Sequence, residues 1–228
     1  MLLSVIVTVY NEVNTILCTL EQVGKVSIEK EIIIVDDCST DGTKELLQKK
    51  FGSGGESLKL AYHTENKGKG AAIQTALLYA KGDYSIFQDA DLEYDPQDYT
   101  KLMEVAQKHK LDVVFGSRFL KTWCVTSFWH FLVNRFLTGI TNLLYGSRLT
   151  DMETCYKMIK TKLLKELGLK SQRFNIEPEI TVKLLKKGYN IKEVPILYKG
   201  RLYTEGKKIT WKDGFSAMWS LLRYRVTE

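Results

Sequence analysis

The sequence predicts a single α/β domain in which helices cover both faces of a mostly parallel sheet. Short apolar runs alternate with helical patterns along the first half of the chain, and 228 residues are enough for one sizeable core. Neither an internal repeat nor a low-complexity linker divides the chain. The apolar runs that we expect to be strands in this half are Leu2–Val9, Glu31–Val35, Leu58–His63, Tyr84–Phe87 and Asp112–Phe115.

The second half begins with an aromatic-rich stretch, Trp123–Tyr145, that polar residues such as Asn134 and Arg135 interrupt. This pattern favours an amphipathic helix over a membrane-spanning one, and its aromatic residues fit core packing and membrane contact equally well. After the stretch around Thr150–Lys157 returns the chain to a strand, we expect a helix over Phe174–Lys187, a strand over Ile191–Tyr198 and a C-terminal helix from about Trp211 to Tyr224.

The composition is that of a moderately basic globular protein. Lys and Arg outnumber Asp and Glu by 33 to 27, which favours anionic partners such as phosphates or an acidic membrane surface. The four cysteines match no zinc-binding or redox spacing, so we expect free thiols in a reducing compartment. No cleavable leader pattern or long apolar run is visible, which predicts a cytoplasmic protein, at most peripheral on the cytoplasmic face of a membrane.

Acidic residues gather directly after the fourth apolar run, at Asp89, Asp91 and Glu93. Ligands of open α/β sheets bind at the carboxyl ends of strands, where such acids suit an oxygen-ligated divalent cation that grips a diphosphate. A solvated acidic turn is the alternative. Because Glu12, Asp37 and Arg118 also follow predicted strands, we expect these side chains to meet on one rim. So many acids argue against nucleic acid as a partner.

Several separate stretches resemble the family-2 glycosyltransferases, which have the GT-A fold, and the later ones resemble the dolichyl-phosphate mannose synthase-like branch. The resemblance runs through nearly the whole chain, with 1–120 as the nucleotide-sugar half and 121–228 as the acceptor half and tail. The stretches are Val7–Glu12, Asp36–Thr43, Asn66–Gly70, Asp89–Asp91, Gly116–Phe119, Leu149–Lys157, Glu177–Glu179, Glu193–Ile196 and Arg201–Ile209.

The resemblance implies inverting transfer of a sugar from a GDP- or UDP-sugar with Mg²⁺ or Mn²⁺. It places the metal at Asp91, assisted by Asp89 or Glu93. Asp37 would read the base or ribose, although it could instead cap the following helix. The remaining residues implied on the donor side are Thr8, which stands where the family usually has proline, Tyr10, Glu12, Lys69 and Ala90.

The resemblance also implies a polyprenyl phosphate, dolichyl or undecaprenyl, as acceptor. Arg118 and Arg201 would grip phosphate, and Lys207 or Lys208 lie on what resembles a closing tail loop. A phosphate acceptor is already anionic and needs no general base. Two alternatives stay open. A hydroxyl of a cell-surface saccharide would require a base, for which Asp151 and Glu179 are the candidates. A protein that binds nucleotide sugars without turnover is the other.

Two departures from the mannose synthases bear on the acceptor and the donor. Glu93 replaces a residue that is often Gln there, and the stretch 121–133 lacks their arginine-rich acceptor loop. His130 and Arg135 are the cationic candidates left in that region. The residues thus predict glycosyl transfer more firmly than they predict a lipid phosphate acceptor.

Overall fold

A twisted sheet of seven strands runs through the part of the chain that the computed structural model describes, residues 1–120, 128–201 and 211–227. The strands are β1 Leu3–Val9, β2 Lys30–Asp36, β3 Leu58–Tyr62, β4 Tyr84–Asp89, β5 Val113–Ser117, β6 Lys157–Lys160 and β7 Lys192–Pro195. The helices are α1 Ile16–Lys25, α2 Thr43–Phe51, α3 Lys69–Leu77, α4 Asp98–Lys108, α5 Phe128–Tyr145, α6 Thr161–Glu166, α7 Ile176–Lys186 and α8 Trp211–Thr227.

The strand order is β3-β2-β1-β4-β6-β5-β7. Every pair is parallel except those made by β6, which runs antiparallel between β4 and β5. The predicted mostly parallel α/β sheet is therefore confirmed. Because β6 enters the sheet from the opposite end, the residues before Lys157 lie at the carboxyl ends of β4 and β5. The antiparallel insertion thus adds a segment to the rim on which ligands of such sheets bind.

The central strands are buried on both faces, which explains their nearly continuous apolar runs. Leu3, Val5, Ile6 and Val7 of β1 are all fully buried, as is Ile86 in the neighbouring β4. A smaller cluster joins α5, α7 and α8 beside this core. Its buried members are Leu137, Met152, Val182, Ala217 and Leu221.

The structure corrects two sequence expectations and describes only part of a third. Asp37 does not cap the next helix: α2 begins at Thr43 after Gly42, which has a left-handed φ of 96°. The last strand ends at Pro195 instead of Tyr198, which forms only an isolated bridge with Tyr94. The amphipathic helix is present from Phe128, and its expected beginning lies outside the described residues. None of the helices in the described ranges is apolar over a length that would cross a bilayer.

Candidate active site

Sharp turns follow three strands that end on the same rim. Asn11, Cys38 and Leu92 have φ values of 50°, 64° and 62°, and they come after β1, β2 and β4. Asparagine tolerates this left-handed conformation, whereas for cysteine and leucine it costs about 1–3 kcal/mol each. Backbone strain of this kind is concentrated at functional sites.

Arg201, in the segment after β7, joins three predicted site residues. Its guanidinium donates two hydrogen bonds to the Glu12 carboxylate, at 3.0 and 3.1 Å, and lies 3.5 Å from Asp91 Oδ2. Glu93 accepts the Arg201 backbone N–H at 2.7 Å and the Tyr198 hydroxyl at 2.6 Å. Both oxygens of Glu93 therefore hold the Arg201 segment in place, and its metal-ligand role stays a prediction.

Lys69, the first residue of α3, forms a second charged cluster. Its ammonium lies 2.7 Å from both Asp89 Oδ1 and Glu177 Oε1. Burial lowers the pKa of Lys69, but Asp89 foremost and Glu177 outweigh it, so the pKa is held well above the ordinary lysine value. Lys69 is thus a permanent positive charge that fixes Asp89, two residues before Asp91.

Two glycines let the start of α3 approach the 170–173 segment. Gly68 has a φ of 95°, and a Cβ on Gly70 would lie 2.1 Å from the Ser171 carbonyl oxygen. Glu179 fixes this segment, because its carboxylate accepts the N–H groups of Lys170 and Ser171 at 2.8 and 2.7 Å. Glu179 is fully buried. It is therefore not a solvated helix charge, and its place does not fit the general-base role considered from sequence.

Arg118 and Asp151 are paired with each other. Two guanidinium nitrogens of Arg118 donate to the two Asp151 oxygens, each at 2.7 Å. The guanidinium also stacks over the Tyr198 ring, 5.1 Å from its centroid. Asp151 is fully buried. An enclosed carboxylate with both oxygens engaged is poorly placed to take a proton from an acceptor hydroxyl.

Asp37 is the carboxylate that the structure uses to hold the 66–68 loop. Its oxygens accept the N–H groups of Lys67 and Gly68 at 2.9 and 2.7 Å and contact His63 Nδ1 at 2.6 Å. The other His63 ring nitrogen lies 2.9 Å from the Thr75 hydroxyl in α3. Asp37 thereby connects the ends of β2 and β3 to the start of α3.

The remaining predicted residues lie on the same rim or outside the described part. Thr8 is the β1 neighbour of Asp89 in the sheet, and the Ala90 carbonyl accepts the Thr19 hydroxyl at 3.2 Å. Tyr10 is half-buried directly after β1. Lys207 and Lys208 lie outside the described residues, so their predicted part in a tail loop has no structural counterpart here.

Negative charge exceeds positive charge in the two clusters around Lys69 and Arg201. Five carboxylates face these two cations, a formal charge of −3: Glu12, Asp89, Asp91, Glu93 and Glu177. Burial raises the pKa of Asp91 to about 7, and Asp89 and Glu93 add to the rise. A divalent cation at Asp91 would relieve this repulsion. Within the described ranges, however, no three His, Cys, Asp or Glu side chains are already gathered as a metal site.

Sequence reasoning assigned no role to several residues that build the site. Glu177 holds Lys69, Tyr198 holds Glu93 and lies under Arg118, and Lys157 is a fully buried lysine. The Lys157 ammonium donates to the Met152 and Thr154 carbonyl oxygens at 2.6 and 2.8 Å, which shapes the turn before β6. Glu177 and Lys157 lie in stretches that carried the family resemblance, whereas Tyr198 gives no local signal in the sequence.

A mostly parallel sheet with charged residues at its strand ends is the arrangement of α/β proteins that bind nucleotides there. Residues 4–168 match the family described as Glycosyl transferase family 2, and the chain belongs to this family. Membership of this family confirms the family resemblance predicted from the sequence. It identifies the protein as a glycosyltransferase.

Two curated relatives carry names that involve polyprenyl phosphates. The dodecaprenyl-phosphate galacturonate synthase of Rhizobium johnstonii is 27% identical over 77% of this chain and 53% of its own length. The dolichyl-phosphate beta-glucosyltransferase of Saccharomyces cerevisiae is 28% identical over 85% of this chain and 66% of its own. This chain therefore spans only about half to two thirds of these relatives.

The fold also matches a solved structure. Glucosyl-3-phosphoglycerate synthase from Mycobacterium tuberculosis, in complex with Mn²⁺, UDP and phosphoglyceric acid, superposes with a TM-score of 0.73. The match covers 99% of this chain and 79% of that one at 15% identity. At this identity the likeness establishes the fold, and it confirms the GT-A architecture implied by the sequence.

Proposed function

We propose that this protein is an inverting, metal-dependent glycosyltransferase that moves a sugar from a UDP- or GDP-sugar to a polyprenyl phosphate. The observation that carries the proposal is the rim on which Lys69 and Arg201 hold Asp89 and Asp91 at the end of β4. Nucleotide-linked ligands of such sheets bind at this edge. The names of the two curated relatives support a polyprenyl phosphate as acceptor.

The residues present fit a divalent cation at Asp91, with Asp89 beside it. The excess of carboxylates supports this assignment, because Asp89 and Glu93 repel the Asp91 charge and a cation would offset that repulsion. Carboxylate oxygens are the ligands that Mg²⁺ and Mn²⁺ prefer. When bound, the cation would supply Lewis-acid stabilisation of the diphosphate leaving group. Lys69, buried and charged, would add a fixed positive charge beside the same group.

The two candidate general bases are enclosed by other groups, which favours an acceptor that needs no base. Asp151 and Glu179 are both fully buried and engaged, by Arg118 and by the 170–171 N–H groups. An acceptor that is already anionic has no proton to lose, so the transfer needs positioning and charge compensation instead. Arg118 and Arg201 are the guanidinium groups that we assign to phosphate, each of which would exchange part of its present carboxylate pairing for the ligand.

An exposed apolar face suits contact with the membrane that would hold such an acceptor. Phe136 is 55% and Trp219 is 68% exposed, and both lie on helical stripes of other exposed apolar side chains. The stripes are Leu132, Phe136 and Leu143 on α5, and Trp219, Leu222 and Val226 on α8. Exposed Arg135, Arg223 and Arg225 lie on the same helices, and neither 131–145 nor 216–226 contains an acidic residue. Basic apolar faces of this kind bind anionic bilayers.

The donor is tested by calorimetric titration with UDP, GDP and their common sugar derivatives, first with Mn²⁺ and then with a chelator. We expect one nucleotide to bind tightly only with the metal. Equal affinity with the chelator would refute the metal assignment, and no binding across the panel would refute the donor assignment.

The membrane face is tested by sedimentation with vesicles that contain one third phosphatidylglycerol. The F136S/W219S double variant should lose most of the binding. The matched control is L78S, because Leu78 is 79% exposed at the end of α3 and belongs to neither α5 nor α8. Equal loss in the control variant would contradict the assignment of the face.

A further inference from the structure

The turn before β6 carries a glutamate that none of the roles above uses. Glu153 lies between the Arg118–Asp151 pair and Lys157, on the segment that the antiparallel β6 brings to the rim. Two residues further along, Cys155 Sγ is 3.6 Å from the Phe87 carbonyl oxygen and 3.7 Å from Lys69 Nζ. The turn therefore runs past the cluster that fixes Asp89.

Glu153 has an unused carboxylate oxygen, as does Asp36 at the end of β2, whose other oxygen accepts the Ser39 N–H. Glu153 Oε1 is shielded from solvent and has no hydrogen-bond partner in residues 1–120, 128–201 or 211–227. By contrast Glu12, Asp89, Glu93, Asp151 and Glu177 are each engaged by an arginine, a lysine or a tyrosine. A buried acceptor without a donor destabilises a fold, so such an atom at a binding rim requires an explanation.

The surroundings of Glu153 do not supply the missing donor. Burial raises the pKa of Glu153 to about 7; Glu177 and Asp151 raise it further, while Lys157 and Arg118 lower it. Lys157 already donates to the Met152 and Thr154 carbonyl oxygens, and Arg118 donates to Asp151. Neither nearby cation donates to Glu153 Oε1, which leaves a hydrogen-bond acceptor on the turn that runs past the Lys69 cluster.

We propose that Glu153 accepts a hydrogen bond from a hydroxyl of the donor sugar and thereby helps to select that sugar. This assignment rests on the proposed function. The diphosphate is assigned to Asp91, and Lys69 connects Asp89 beside it to Glu177, whose charge acts on Glu153. A pyranose joined to that diphosphate carries several hydroxyl donors, which are the chemical partner that an unused buried carboxylate oxygen lacks.

The test compares nucleotide sugar with bare nucleotide, in the wild type and in E153A and E153Q. Titrations with UDP-glucose, UDP-N-acetylglucosamine, UDP-galacturonic acid and GDP-mannose in Mn²⁺ identify the tightest donor, which is then measured against its nucleoside diphosphate. E153A should weaken the affinity for the sugar nucleotide about tenfold or more, as expected for loss of a hydrogen bond to a charged group. The affinity for the nucleoside diphosphate should be unchanged. E153Q should weaken the affinity for the sugar nucleotide less, because the amide oxygen still accepts. The matched control is E104Q, since Glu104 is exposed on α4.

Deoxy analogues of the chosen donor separate a direct contact from a merely structural effect. In the wild type, removal of one particular sugar hydroxyl should cost about tenfold in affinity, and the same removal should cost E153A nothing further. A structural role would leave every hydroxyl equally important in both proteins. If E153A fails to bind the nucleoside diphosphate, E153Q is measured in the same way and decides the matter.

The contrary outcomes distinguish this inference from the function on which it rests. Wild type that binds a sugar nucleotide, with E153A and E153Q unchanged in affinity and in their response to deoxy analogues, would overturn the role of Glu153 alone. Full affinity with lost turnover in E153Q would also overturn it, because that result describes a general base. Absence of nucleotide binding by the wild type would overturn the proposed function as well.

Discussion

Replacing Glu153 by glutamine should change how the stability of the unliganded protein depends on pH. In the native protein the pKa of Glu153 is raised to about 7 from the ordinary glutamate value of 4.5. Between these two values the unfolded chain binds fewer protons than the native one. The free energy of unfolding of the wild type therefore falls as the pH rises through this window, and E153Q removes that fall.

The size of the effect follows from the two pKa values. With 4.5 in the unfolded chain and about 7 in the native protein, the free energy of unfolding of the wild type falls by about 2–3 kcal/mol from this group between pH 5 and pH 8. For a chain of 228 residues this corresponds to about 5–10 °C in the melting temperature. The cost of burying a glutamine amide is independent of pH, so it cancels when the two pH values are compared.

The assay is urea unfolding or a thermal melt of both proteins, without metal or nucleotide, at several pH values from 5 to 8. The stability of E153Q relative to wild type should improve steadily with pH and reach its full difference near pH 8. Titrating groups that do not interact with Glu153 are present in both proteins and cancel in the comparison, whereas the change includes the response of its interacting neighbour Lys157. Parallel pH profiles for the two proteins would show that Glu153 is not held protonated and would refute the reasoning.

Three further predictions concern the metal, the rim arginine and the close approach of α3. D91N should lose the stabilisation that Mn²⁺ and nucleotide together give in a thermal melt; an unchanged shift would exclude Asp91 as the ligand. R201K keeps the positive charge but cannot form the bidentate pairing of a guanidinium. Turnover should therefore fall at least about tenfold in a donor-consumption assay, while the melting temperature changes little. Full turnover would exclude Arg201 from the site. G70A should destabilise the protein by about 2 kcal/mol or more, because its Cβ would lie 2.1 Å from the Ser171 carbonyl oxygen. G139A, whose Cβ would contact nothing within 4 Å in helix α5, is the matched control and should be neutral or stabilising; equal stability of the two variants would contradict the close contact.

Much of the sheet could be predicted from sequence because its strands are short apolar runs that end at charged residues. The runs that became β1 to β5 were all identified, with ends within about two residues. Strand β6 is different. Its four residues include the fully buried Lys157, and its antiparallel insertion between β4 and β5 depends on pairing across the whole sheet. Local periodicity carries no information about such an insertion.

The location of the candidate site could be predicted from the sequence, but the ion pairs between its carboxylates and cations could not. Asp89 and Asp91 were identified because they follow a predicted strand, where ligands of open α/β sheets bind, and because they lie in a stretch that carries the family resemblance. Which carboxylate meets which cation depends on contacts between distant parts of the chain, such as that of Arg201 with Glu12, 189 positions away. Glu177 and Glu179 show a related limit. On a helix their spacing predicts a solvated face, yet Lys69 engages Glu177, the 170–171 N–H groups engage Glu179, and both are buried.

The most direct test of the proposed function is transfer of a labelled sugar to a defined lipid. The purified chain is incubated with Mn²⁺, the radiolabelled nucleotide sugar that it binds, and vesicles containing undecaprenyl or dolichyl phosphate, with D91N as the inactive control. We expect label in an organic-soluble polyprenyl-phosphate sugar, with one nucleoside diphosphate released per sugar transferred. Label that stays in the aqueous phase as free sugar, or that enters only a saccharide acceptor supplied in parallel, would contradict a polyprenyl phosphate as the acceptor.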